Sequence, residues 1–308
     1  MTVYVFRRLL WMVPSLFIVF TLTFLVVHAT PGSPWDEREK PLSEAVKANL
    51  NKQYHLDDPL PKQYFDYLGN VLHGDLGPSY RSVERSVSEI IAATLPVSVQ
   101  LGVASLLFAI VVGVPLGALA AVKHNTWIDY TASLVTVTGI ATPAFVRVSL
   151  LIVVLSLGLA LLPTGGWEGI FDVRAIIPIL AIGSGPAAIL ARYTRSSLLE
   201  VLGQDYIRTA HAKGVRPNAV VAAHAMKNAL IPVVTVAGVT LGNVITGAFF
   251  VERIYGVPGI GRQFIDSVTG RDYTLLLGTV MVFALLIMVV NLLTDISYGY
   301  LDPRIRYR

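Results

Sequence analysis

The stretch Ile90–Val122, IIAATLPVSVQLGVASLLFAIVVGVPLGALAAV, contains no Asp, Glu, Lys or Arg in 33 positions. A bilayer core offers backbone N–H and C=O groups no partner, so the structure that crosses it as a single segment is a helix of roughly 20 mostly apolar residues. Six further runs share the property: Leu9–Trp35, Tyr130–Val146, Val148–Trp167, Ala175–Ala191, Asn228–Val251 and Tyr273–Thr294. Across all 308 residues 54% are hydrophobic and 14% charged, whereas a soluble domain carries about 25% charge. The chain therefore lacks the charge to cover a water-facing surface, and it is far too apolar for intrinsic disorder. It reads as an all-α membrane protein. With no cysteine, a disulfide framework, a thiolate zinc site, an iron–sulfur cluster and a cysteine nucleophile are all excluded. The balance of 24 Lys+Arg against 20 Asp+Glu is too weak to indicate a nucleic-acid partner.

Orientation counts the spans. Basic residues in short loops stay on the cytoplasmic side, while long loops cross largely regardless of charge. Leu9–Trp35 has an apolar part longer than the ~7–15 residues of a cleaved leader and no A-x-A site after it, so it is expected to be a retained helix. Arg7 and Arg8 put the N-terminus inside. Asp36–Glu89, with seven basic and ten acidic residues, is then external. Lys123 and His124 mark a short internal loop. Arg192–Lys227, holding Arg192, Arg195, Arg208, Lys213, Arg216 and Lys227 against Glu200 and Asp205, is internal, as is the tail with Arg304, Arg306 and Arg308. That parity requires Tyr130–Trp167, broken by Arg147 and by Thr138-Gly139-Ile140-Ala141-Thr142-Pro143, to cross once. Six transmembrane helices result, with both termini cytoplasmic. The expected division is 1–30 (N-terminus and first helix), 31–95 (a small external subdomain), 96–300 (a five-helix core with a cytoplasmic segment at about 198–217) and 301–308 (tail).

Prolines recur within the spans at Pro14, Pro115, Pro143, Pro178, Pro186 and Pro232, and small residues at Gly102, Gly113 and Gly117. Such breaks are tolerated beside neighbouring helices or a water-filled cavity, and small residues let helices approach closely. Plain packing and a translocation path both fit this pattern.

Two segments outside the spans have readable structure. After Leu60-Pro61, Tyr64, Phe65, Tyr67, Leu68, Val71 and Leu72 fall close to i, i+3, i+4, i+7 spacing and predict an amphipathic helix ending at His73-Gly74, with Ser43–Tyr54 forming another short helix. It either caps the bundle or presents a docking surface. On the internal side Asp205 is placed to cap a helix over Tyr206–Lys213, followed by Gly214 in a left-handed position and Pro217 three residues on. A helix of two turns is unstable alone. Its small residues Ala210, Ala212 and Gly214 suit a groove on a partner; its basic residues would equally hold it to a membrane surface.

Catalytic chemistry is sparse. No Gly-Lys pair occurs, so the phosphate-cradling loop of ATPases is missing. The six histidines, His28, His55, His73, His124, His211 and His224, show no metal-ligand spacing and there is no H-E-x-x-H. No catalytic residue, no metal and no cofactor is expected on this chain. A rhomboid-like serine protease would use Ser184 in Gly183-Ser184-Gly185 with His211 in Ala210-His211-Ala212-Lys213-Gly214. Ile182 replaces the leading glycine of the first pattern, however, and His211 sits among Arg208, Lys213 and Arg216. A proton-coupled carrier would need membrane-embedded acids, for which Asp295 is the sole candidate.

A set of short pieces occurs in order along the chain: Leu60-Pro61, Tyr64 and Tyr67-Leu68; Gly74-Asp75-Leu76-Gly77 with Ser79; Thr142-Pro143-Ala144-Phe145; Leu162-Pro163-Thr164-Gly165-Gly166; Asp205–Gly214; His224-Ala225-Met226-Lys227-Asn228-Ala229-Leu230-Ile231-Pro232; Glu252; Pro258-Gly259-Ile260-Gly261-Arg262; Arg271-Asp272-Tyr273; Asn291 and Asp295; and Leu301-Asp302-Pro303-Arg304. Through them the chain resembles the B-type permease subunit of bacterial dipeptide/oligopeptide ABC importers, in the binding-protein-dependent permease family. The resemblance implies a type I ABC importer permease fold in the bacterial inner membrane. It implies that Asp205, Tyr206, Ile207, Arg208, Thr209, Ala210, His211, Ala212, Lys213 and Gly214 form the coupling helix that docks on an ATPase. It further implies a C-type permease partner, two ATP-binding subunits carrying ATP and Mg, and an external substrate-binding protein. External gate and docking positions would be Tyr64, Tyr67, Asp75, Glu252, Tyr255, Pro258, Gly259 and Gly261. Pro143, Phe145 and Arg147 become candidates for the translocation path. Arg208 stands where the general permease motif has a glutamate, His211 where the peptide branch has another basic residue, and Ala229-Leu230-Ile231-Pro232 lies displaced along the chain. Permeases of this kind also serve glutathione, haem and nickel chelates, so the substrate is left open. Arg147 is a charge at mid-span, which by its cost is a functional-site candidate; backbone carbonyls or a pathway would each account for it.

Overall fold

The protein is described by a computed structural model over residues 2–36, 42–82 and 84–301. The expected basic tail with Arg304, Arg306 and Arg308, and Asp302-Pro303-Arg304 of the last motif, lie outside the described residues. Among those described every named element is helical: α1 Thr2–Ala29, α2 Glu44–Gln53, α3 Leu60–Leu72, α4 Val87–Val122, α5 Trp127–Ala141, α6 Ala144–Leu151, α7 Ile176–Leu202, α8 Asp205–Ala212, α9 Pro217–Ala219, α10 Met226–Gly247, α11 Phe249–Tyr255, α12 Ile260–Gly270 and α13 Tyr273–Leu301. Wider π-type turns, Ile152–Gly158 and Val220–Ala225, continue α6 and lead into α10.

Five stretches are long and apolar enough to cross a membrane singly: Tyr4–Ala29, Val87–Val122, Val173–Leu202, Pro217–Gly242 and Tyr273–Ile296. The pair Trp127–Ala141 and Ala144–Gly158, bent by 109°, makes six when counted as one span. The bend has a local cause. Pro143 has no N–H and disfavours the helical conformation in the residue before it, and Thr142 is indeed extended (φ −88°, ψ 121°).

Among the described residues two compact units result, one drawn from 6–98 and 258–288, the other from 1–5, 99–257 and 289–308. In the first, the apolar set read from the spacing of α3 is packed only in part, because Phe65 and Leu72 fall off the stripe that meets α1 and α13 and are exposed. Tyr64, Tyr67, Leu68 and Val71 close over Phe20 and Phe24 of α1 and Leu277 of α13. Trp35 is buried, and its indole N–H donates to Asn51 Oδ1 at 2.7 Å, which ties the segment after α1 to α2. Asp272 caps α13: its carboxylate accepts from Leu275 N at 3.2 Å, Ser79 Oγ at 2.5 Å and Arg81 N at 3.2 Å. A buried carboxylate with this many donors satisfies the helix's orphan N–H groups and its own lone pairs together.

In the second unit α5, α6, α10 and α11 all pack on α7. The close approach expected of the small residues occurs between α4 and α7, where a Cβ on Gly113 or Gly117 would overlap the carbonyl oxygens of Ala187 and Ala191. Ala109, Ala187, Leu190, Val233 and Ala237 form the adjoining core.

Candidate functional site

The internal segment builds a short helix with one buried edge. After α7 ends at Leu202, Gly203 and Gln204 form the link, and Gln204 takes the extended N-cap conformation (φ −76°, ψ 151°) without a side-chain bond. The cap expected at Asp205 thus falls one residue earlier, and Asp205 sits in the first turn, where a carboxylate favours the helix dipole. The far end closes as the glycine predicts. Gly214 has φ +79°, and its N–H donates to His211 O at 2.9 Å, while Val215 N donates to Ala210 O at 3.2 Å. This pair of bonds is a Schellman motif. Its accompanying apolar contact is present, since Val215 packs on the cluster that contains Ala210.

Ile207 and Ala210 are the buried side chains of α8. They join Ala121 of α4, Leu198 of α7 and Val220, Ala225 and Ala229 in one apolar cluster. Asp205, Tyr206, Arg208, Thr209, His211, Ala212, Lys213 and Gly214 are exposed. Asn228 Nδ2 donates to the Tyr206 hydroxyl at 2.9 Å. Arg208 and Asp205 approach to 3.4 Å with side chains 75% and 94% exposed, a contact worth little in water. α8 is therefore anchored along one edge and leaves a polar face open.

A cluster that sequence reading did not single out lies close by in the chain fold. Asp129, in the first turn of α5, is buried and takes a two-pronged bond from Arg195 of α7: Nε to Oδ1 at 2.6 Å and Nη2 to Oδ2 at 2.8 Å. Its Oδ2 also meets Asn125 N at 3.0 Å and His124 Nδ1 at 3.1 Å. The first turn of α5 is thereby tied to α7 three residues before Leu198 of the α8 cluster. An acid and a base were visible in the sequence, but nothing local relates positions 66 apart.

Arg147 spends its guanidinium on backbone. Nε donates to Ala181 O at 2.8 Å and Nη1 to Gly139 O at 2.8 Å, with a further bond to Thr142 O. Among the described residues no carboxylate pairs with it. In an unbroken helix Gly139 O would accept from residue 143; that residue is proline, and the arginine supplies the missing donor. Arg147 and Pro143 line a cavity of about 280 Å³ with Gly139, Gly185, Pro186 and Thr240. Phe145 is half exposed, its ring 6.0 Å from that of Phe250.

The residues expected at an external gate divide. Tyr64 and Tyr67 turn inward: Tyr64 bonds Thr21 at 2.8 Å, and Tyr67 stacks on Phe20 with ring centroids 5.8 Å apart. Glu252, Tyr255, Gly259 and Gly261 are buried. The Tyr255 hydroxyl donates to Pro163 O at 3.0 Å, and Gly166 N donates to Tyr255 O at 2.8 Å, so α11 straps the Pro163–Gly166 loop. Asp75 and Pro258 are exposed; the Asp75 carboxylate accepts from Gly77 N at 2.8 Å and shapes its turn. For the alternative readings, Ser184 lies within α7 and His211 on the open face of α8, with no hydrogen bond between them among the described residues. Asp295 accepts from the Tyr4 hydroxyl at 2.9 Å.

Comparison with known proteins converges on one group. Residues 113–307 match the binding-protein-dependent transport system inner membrane component family. The chain is 40% identical over 303 residues to the dipeptide transport system permease protein DppB of Bacillus subtilis, covering 98% of this chain and 97% of that protein. It is 41% identical over 304 residues to the oligopeptide transport system permease protein OppB of Salmonella typhimurium, covering 99% of each. It is also 41% identical over 309 residues to the glutathione transport system permease protein GsiC of Salmonella choleraesuis, again covering 99% of each. An inward-facing structure of the MetNI methionine ABC transporter shares the fold, with a TM-score of 0.60 at 18% identity over 69% of this chain and 96% of that one.

Proposed function

From the premise that this chain belongs to the binding-protein-dependent transport system inner membrane component family, we propose that it is the transmembrane permease of an ATP-driven importer of dipeptides or oligopeptides. Peptide permeases such as DppB and OppB align over nearly its whole length, and this supports the substrate class. In this reading the chain sits in the bacterial inner membrane with both termini cytoplasmic. It forms the translocation path together with a second, C-type permease, receives substrate from an external binding protein and hydrolyses no ATP itself. ATP and Mg are held by two partner ATPase subunits.

The observation that carries the coupling role is the construction of α8. Its Ile207–Ala210 edge is embedded in a cluster that also holds α4 and α7, while eight of its signature residues, Asp205, Tyr206, Arg208, Thr209, His211, Ala212, Lys213 and Gly214, remain open. Force applied to the open face by a docked ATPase reaches three spanning helices, α4, α7 and α10, through packed side chains rather than through a flexible loop. ATP binding then shifts the population between inward- and outward-facing states.

Arg147 acts in this scheme as a positioning residue for the bent span, because carbonyls occupy its Nε and Nη1 donors. The deciding experiment is reconstitution of the chain with ATPase, permease and binding-protein partners in vesicles. Peptide-stimulated ATP hydrolysis accompanied by uptake is expected. Uptake by this chain alone, driven by a proton gradient without ATP, would overturn the reading.

A further inference from the structure

The unit of residues 6–98 and 258–288 contains a cavity of about 200 Å³ that the transport reading does not use. Its walls are aromatic: Phe24, Tyr54, Tyr67, Tyr80 and Tyr273 all line it. The rings follow one another around the space. Centroids lie 5.0 Å apart for Tyr54 and Tyr80 and 6.1 Å for Tyr80 and Tyr273, both pairs edge to face. From Tyr273 the series continues through the His28 imidazole at 5.3 Å to Phe24 at 4.0 Å beyond it. Edge-to-face neighbours cannot stack into a slab, so their faces form walls in different planes.

The mouth is polar. Gln63, Asp66, Tyr67 and Asn70 stand at i, i+3, i+4 and i+7 on α3 and all border the cavity. Asp66 is exposed at the rim with Asn70, Gln53 and His55, whereas Phe24, Tyr80 and Leu277 at the base are buried. Gln63 Nε2 donates to Leu56 O at 3.0 Å and Asp58 O at 2.7 Å, which fixes the turn that carries Tyr54 and His55. Among the described residues no Lys or Arg lines the space. Arg271 does not line the space; it bonds Pro31 O and lines a different cavity, but it also interacts with the Tyr273 hydroxyl of the wall.

We infer that this cavity is a binding site for a small organic ammonium group, held by the aromatic faces and the Asp66 carboxylate. Ring faces carry the negative lobe of the quadrupole and attract a cation whose hydration shell is weak. The Asp66 carboxylate at the rim adds the same sign of field, although Lys62, one turn earlier on α3, shares that charge. Burial pushes the Tyr67 and Tyr80 hydroxyls well above their ordinary range, so these walls stay neutral and phenolic. The inference stands on the cavity alone and does not require the transport reading.

Choline and 3,3-dimethylbutan-1-ol, its uncharged isostere, separate charge recognition from apolar filling. Their affinities for the full chain in nanodiscs of phosphatidylglycerol can be read by saturation-transfer NMR. Choline is expected to bind several-fold more tightly than the isostere. Asp66→Asn, at an exposed position that folding does not need, should weaken choline about 2- to 5-fold and leave the isostere unchanged. Tyr54→Leu should weaken choline by a similar factor of about 2 to 5, whereas Tyr54→Phe, which keeps the ring face, should not. Equal affinity for the two probes, no choline binding, or loss in Tyr54→Phe as large as in Tyr54→Leu would overturn the assignment. The source of the ammonium follows from two further arms. Competition by glycyl-alanine but not by its N-acetyl form identifies peptide amines, and weakening on adding phosphatidylethanolamine identifies a lipid headgroup; competition by neither assigns the site to free organic cations.

Discussion

Arg147 replaces a hydrogen bond that proline removes. Gly139 O loses its helical donor at Pro143, and the guanidinium of Arg147 reaches back to it and across to Ala181 O of α7. Gly185 makes room, since a Cβ there would lie 2.9 Å from Nη2. Arg147→Leu should therefore destabilise the protein by about 2–4 kcal/mol, because partly buried carbonyls lose charge-assisted donors. Arg147→Lys should recover only part of this, because an ammonium gathers its three donors on one nitrogen, where the guanidinium spreads its donors over a planar fork. Thermal unfolding in detergent measures both; an unchanged midpoint in Arg147→Leu would refute the clamp. Asp129 and Arg195 make a second test. Removal of one partner strands a charge, whereas removal of both does not, so a double-mutant cycle of Asp129→Leu and Arg195→Leu should give a coupling of about 1–3 kcal/mol. The cost of a mid-span charge flagged Arg147 in the sequence. Its acceptors Gly139 O and Thr142 O lie near in the chain, but Ala181 O was not legible, because it is 34 positions away and only the packing of α6 on α7 brings it to the guanidinium.

Helix α8 shows how much one element reveals on its own. Gly214 announced the left-handed end, and the Schellman bonds form there with φ +79°. Gly214→Val should cost about 1–2 kcal/mol at that position. The loss is local, so amide exchange should rise in α8 while the rest of the chain keeps its protection. Protection in α8 equal to wild type would argue that the cap is not what holds it. The N-terminal boundary shifted from Asp205 to Gln204 because the link after α7 is only Gly203-Gln204, and the second of these must take the extended conformation. Between α4 and α7 the small residues were legible as contact points. Gly117→Leu should destabilise by about 1–3 kcal/mol through overpacking against Ala191 O, and a variant of wild-type stability would contradict the close approach.

For the whole molecule the absence of cysteine becomes an experimental advantage. A single Arg208→Cys, on the open face of α8, should cross-link to a cysteine placed in the partner ATPase and not to one in the binding protein, with a yield that changes on adding ATP. Full uptake in a complex where no position on α8 cross-links to the ATPase would remove α8 from the coupling role. Nothing in the packing of α8 needs the arginine, so the substitution should leave folding intact.

The sequence by itself determined the membrane class, the apolar stretches, the break at Thr142-Pro143, most of the inward face of α3 and the end of α8. Each is a local property: hydropathy, periodicity, a missing N–H, a glycine's freedom at positive φ. Only the tertiary structure decided that Arg147 serves carbonyls, that Asp129 belongs to Arg195, that Asp272 caps α13 beneath Ser79, and that Glu252 and Tyr255 are buried. Those outcomes depend on which distant backbone or side-chain groups meet, and one buried donor can be satisfied by many acceptors that look alike along the chain. Packing selects among them.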